Sequence, residues 1–139
     1  MNLKELSLTL PNGFHDAELL EMNVNFIKNS ASLRMNLWVG DLQAVKNPKE
    51  SYQEVILQLS AVDLFSIERP NNPDKYIWKG SWVIDSFETT EKQFPGLENF
   101  PEKIKTNLFS FYSDSTNSFI HISAKEVVMN TIGEVKISE

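Results

Sequence analysis

Apolar and polar residues alternate along much of this chain, the period of a strand with one face buried. Leu6, Leu8 and Leu10 start the pattern, and Pro11-Asn12-Gly13 interrupts it as a turn. Leu20, Met22, Val24 and Phe26 then share one parity, with Glu21, Asn23 and Asn25 on the other. After a short polar link at Lys28-Asn29-Ser30-Ala31, Leu33, Met35, Leu37 and Val39 continue opposite Arg34, Asn36 and Trp38. Two such runs with so short a connection predict a β-hairpin. Gly40 to Ser51 is polar and reads as a surface loop.

A second strand-rich stretch runs from Tyr52 to Arg69, with Val55, Leu57 and Leu59 on one face. The pattern breaks near Ser60-Ala61, as a bulge or a bend would break it. Pro70-Asn71-Asn72-Pro73-Asp74 is a turn cluster. From Tyr76 to Thr89 both parities are apolar, Trp78, Trp82 and Ile84 against Ile77, Val83 and Phe87, which predicts a strand buried on both faces. Glu88 to Lys105 is an irregular excursion in which Pro101 starts a short helical turn. Leu108–Tyr112 and Phe119–Ala124 flank a Ser-, Asp- and Asn-rich loop and predict a second hairpin, with Val127 and Met129 beyond. The expectation is one domain over residues 1–139, mainly β: an antiparallel sandwich or partly open barrel of about seven strands, with at most a short helical turn.

Composition then narrows the chemistry. With Cys at zero, disulfides, thiol catalysis and Cys-based metal sites are excluded. A net charge of −6 gives no clustered basic face for nucleic acid. Nothing approaches a membrane span or a secretory leader, so a cytoplasmic protein is expected. Gly-x-Ser-x-Gly, phosphate-loop and dinucleotide motifs do not occur, so neither a nucleotide cofactor nor a serine nucleophile is expected.

The two histidines, His15 and His121, are too few for a zinc site without recruited carboxylates, and no metal or other cofactor is expected. His15-Asp16 is the most specific local feature. In an extended strand the two side chains point to opposite faces and cannot act on one substrate atom. The structural reading therefore leads: Asp16 closes the turn and His15 bonds a neighbouring strand. Tyr76, Trp78 and Trp82 form either core or an aromatic platform. Acidic residues gather at Glu18 and Glu21, at Asp85, Glu88 and Glu91, and at Glu98 and Glu102. They either keep the protein soluble or steer a basic partner towards it.

Gly13-Phe14-His15-Asp16-Ala17 before the Leu20–Val39 hairpin resembles the opening of small bacterial β-rich immunity-type proteins of polymorphic toxin systems and related domains of unknown function. Phe109-Ser110-Phe111-Tyr112 and Phe119-Ile120-His121-Ile122 resemble their closing pair of strands, whereas Gly40 to Lys105 lies outside the resemblance. It implies a non-enzymatic protein that binds and blocks a cognate toxin, and it carries over no catalytic residue. The expected partner is thus a protein, in particular a basic toxin domain, met by His15, Asp16, Glu18, Trp38 and Trp78. The alternative is a small-ligand-binding or enzymatic β-sandwich with a pocket near His15 and His121.

Overall fold

The computed structural model describes residues 1–39, 51–71 and 82–137, with backbone alone at Val83 and 135–137. The expected loop at 40–50, most of the Pro70–Asp74 turn, and Tyr76, Ile77 and Trp78 lie outside the described residues. Six strands are described: β1 (Ala17–Asn25), β2 (Ser30–Trp38), β3 (Ser51–Ile67), β4 (Trp82–Glu88), β5 (Leu108–Ser113) and β6 (Ser118–Ile137). They pair antiparallel in the order β1-β2-β3-β6-β5-β4, and β1 returns to β4 to close a barrel. The mainly β, antiparallel architecture is the one the alternation predicts. Closure removes the free sheet edges that an open sandwich would leave.

Alternation sets the inside of the barrel strand by strand. Leu33, Met35 and Leu37 of β2 and Val55, Leu57 and Leu59 of β3 are buried, and Arg34 and Asn36 face outward. On β1 the parity changes partway. Leu19 pairs with Met35 and Glu21 with Arg34, so Leu20 is one residue too many, a β-bulge. Ala17 and Leu19 point inward before it, Met22 and Val24 pack on the core after it, and Phe26 leaves the strand for the turn. The break in β3 has two parts: Ala61 takes φ +49°, and the pairing slips one residue between Val62 and Leu64. On β4, Trp82 and Ile84 join the core, whereas Phe87 is 41% exposed, so that strand is not buried on both faces throughout.

The N-terminal leucines differ from expectation. Leu3–Thr9 is a helix, α1, not a strand. The Asn2 side chain accepts from the Glu5 N–H and the Glu5 side chain accepts from the Asn2 N–H, a capping box. Leu3 and Leu6 are buried on one face, Leu10 packs on the core and Leu8 points to water, a 3.6-residue period. Leu10 then turns extended because Pro11 follows it, and the helix ends there. Asn2→Ala is expected to cost about 1 kcal/mol, measurable by urea unfolding, since it removes the cap and the Asn2–Asn107 side-chain bond of 3.1 Å.

Helix α1 and the turn after it close one end of the barrel. Lys4 reaches Glu88 at the end of β4, Asn2 reaches Asn107 before β5, and the Val127 N–H of β6 donates to the Met1 carbonyl. Phe14, fully buried, packs edge-on against Phe109 and Phe111 with centroids 6.1 and 5.2 Å away. The excursion after β4 lies against the outer side of β5 and β6. It ends in a 3₁₀ turn (Leu97–Asn99) and a short helix α2 (Glu102–Asn107), where the sequence predicts a helical turn. Ser123 donates to the Ile104 carbonyl at 3.1 Å, and Phe94 meets the His121 ring.

Candidate functional site

The residues just before β1 come together on the surface at the helix-closed end. A run of turn bonds (Gly13 N–H to Leu10, His15 N–H to Asn12, Ala17 N–H to Phe14) carries the chain from α1 into the strand. Buried Phe14 anchors this run, so His15 and Asp16 are presented to solvent by a fixed base. Asp16 has φ +57°, a left-handed conformation that Asp adopts more readily than most residues. That backbone overturns the expectation that His15 and Asp16 point apart: they are not extended, and His15 Nε2 lies 3.5 Å from Asp16 Oδ2.

The other ring nitrogen, Nδ1, lies 3.3 Å from Asp85 Oδ2. Asp85 follows Ile84, the β4 residue that pairs with Ala17, so barrel closure brings it beside the turn. His15 does contact a neighbouring strand, as the structural reading expects, and it sits between two carboxylates. The Trp38 ring lies 6.4 Å from it, and Asn12 Nδ2 donates to the Trp38 carbonyl at 3.2 Å. Among the described residues the Trp38 indole N–H has no acceptor. Glu18 points out of the barrel between Asn36 of β2 and Val83 of β4. Four of the five expected contact residues thus share one region, and Trp78 lies outside the described residues. Asp85 joins them; its signal in the sequence was only membership of an acidic group.

This region is open. The His15 and Asp16 side chains are more than half exposed and that of Asp85 38%. The polar partners of His15 among the described residues are both carboxylates. Such an arrangement can take up an ammonium or guanidinium from another molecule, with an aromatic face beside it.

His121 lies elsewhere. It is 1% exposed on the outer face of β6, beneath Phe94 and stacked on Phe119. Ser110 Oγ is 2.7 Å from its Nδ1, Glu68 Oε1 is 3.2 Å from its Nε2, and Thr89 Oγ1 is 2.6 Å from Ser110 Oγ. Hydroxyl, imidazole and carboxylate stand in the order of a hydrolase relay. The geometry argues against that use: Ser110 is fully buried, and the Thr89 hydroxyl occupies its other side. A nucleophile must reach its substrate. The chain instead stitches the excursion to the barrel wall. Among the described residues, His15 and His121 have no common partner. Among the described residues, no group of three or more His, Asp or Glu side chains could hold a metal ion, and no helix is long and apolar enough to cross a membrane.

No protein-family profile, curated protein or solved structure matches the chain.

Proposed function

We propose that the chain is a non-enzymatic binding protein of the immunity type, which blocks a basic protein domain in the cytoplasm by covering it. The observation that carries this reading is His15 clasped between Asp16 and Asp85 on open surface, with Trp38 and Glu18 beside it. Carboxylates held this way receive a lysine or arginine of the partner, and Trp38 supplies contact area of the kind that concentrates binding energy. The net charge of −6 speeds the approach of a cationic surface.

The test is co-expression with the product of the adjacent gene. That product alone should arrest growth, and this chain should restore it. Reversing two charges, Asp16→Lys with Asp85→Lys, should weaken the complex by on the order of 100-fold and abolish rescue, with the far-UV circular dichroism unchanged. A neighbour without effect on growth, or rescue that survives the charge reversal, overturns the reading.

A further inference from the structure

The opposite end of the barrel carries a second surface feature. Where β1 turns into β2, Phe26 is 85% and Ile27 95% exposed. This tip is well built. Asn25 Oδ1 accepts from the N–H groups of Ile27 and Lys28 at 3.1 and 3.0 Å, and the Val62 N–H donates to the Asn29 carbonyl at 2.9 Å, tying the turn to β3. Two large apolar side chains held in water by a fixed turn mark a contact surface.

Beside the tip lies an open groove of about 200 Å³, lined by apolar Val24, Phe26, Val62, Leu64 and Phe65 and almost as much by polar groups, Asp63 among them. An enclosed apolar cavity of about 150 Å³ takes up benzene; by volume alone, this open groove admits one aromatic ring. The one-residue slip at Asp63 shapes its wall. Phe26 belongs to both knob and groove, so the two occupy a single patch. That is the condition for an isologous interface, in which each copy offers the other the same surface.

We propose that a second copy of this chain docks here about a two-fold axis, each Phe26-Ile27 tip seated in the groove of the other. Charge supports the same occupant: Lys28 flanks the tip, and Asp63 waits in the groove. Asp63 already lies 3.5 Å from Lys103, whose side chain is 68% exposed and yields readily. A net charge of −6 repels an anionic lipid surface and a second copy alike, so the local Lys28–Asp63 complementarity is what favours the copy. Nine residues of β1, about 30 Å, separate this patch from His15, so the dimer leaves both acidic surfaces free. The proposal does not depend on the function given above.

Sedimentation velocity on the full chain, over a rising concentration series, tests it. The wild type should pass from 15.9 kDa towards twice that mass. Phe26→Asp with Ile27→Asp should weaken association about tenfold or more; both sites are exposed, and an unchanged thermal melt verifies the fold. Lys28→Asp alone should weaken it, and adding Asp63→Lys should restore it. A wild type that stays monomeric, a dimer indifferent to the tip variant, or a charge swap without recovery overturns the proposal. So does a monomer that floats with vesicles of phosphatidylcholine and phosphatidylserine through the same two side chains, which would assign the tip to lipid.

Discussion

Phe14→Ala is expected to lower the unfolding free energy by about 3–5 kcal/mol. Phe14 is fully buried and meets Phe109 and Phe111 edge-on, so its removal takes away both ring contacts and leaves a void. The void cannot collapse easily. Its walls are the barrel strands on one side and α1 on the other, and α1 is already held by Leu3, Leu6 and the Asn2 cap. Chemical denaturation with urea at neutral pH measures the loss directly. The same variant also loosens the base under His15 and Asp16, so binding through that surface should fall even where the protein remains folded. A loss below about 0.5 kcal/mol, the scale of an ordinary surface change, would mean that Phe14 does not close the barrel. Phe14→Leu separates the two contributions: it keeps apolar volume, gives up the ring geometry, and should cost clearly less.

These residues also mark how far the sequence could be read. The strands of the barrel wall were legible because each has one wet and one dry face, and the two-residue period survives in β2 and in the first half of β3. It fails where the wall is irregular. Leu20 adds a residue to β1 without leaving any mark in the pattern, so the alternation assigns Leu20 to the dry face where Leu19 lies, and it carries on to Phe26 although the strand ends at Asn25. The N-terminal leucines satisfy two periods at once: Leu6, Leu8 and Leu10 alternate, while Leu3, Leu6 and Leu10 follow a helix. The Asn2-x-x-Glu5 capping box was the deciding signal, since it has no role in a strand. His15-Asp16 was visible as a motif, but its geometry depends on a positive φ and on Asp85, which only barrel closure delivers. Contacts made by closure have no local signature. The same holds for Glu68, Ser110 and His121, distant in sequence and joined across three strands.

Stability should fall as pH drops below about 6.5, and His121 is the cause. Burial holds its imidazole below the ordinary histidine range; the Glu68 carboxylate pulls the other way and is outweighed. The folded protein therefore keeps His121 neutral at a pH where the unfolded chain already binds a proton. With more protons on the unfolded state, the unfolding free energy rises with pH through this window. The contribution is fully present above the unfolded value near 6.5 and is lost progressively below it, until the folded pKa is reached. For one proton the slope cannot exceed about 1.4 kcal/mol per pH unit. Urea titrations between pH 7.5 and 5, the range in which histidine changes charge, should show that slope, with the excursion over β5 and β6 exchanging its amide hydrogens faster at the acid end. His121→Phe fills the space between Phe94 and Phe119 but cannot titrate, so it should flatten the dependence. At neutral pH it should cost about 1–3 kcal/mol, because Ser110 is left buried with one partner fewer. Glu68→Gln removes the opposing charge and should steepen the loss, since nothing then favours the imidazolium. A wild type and a His121→Phe variant with parallel pH profiles would move the acid sensitivity to another group.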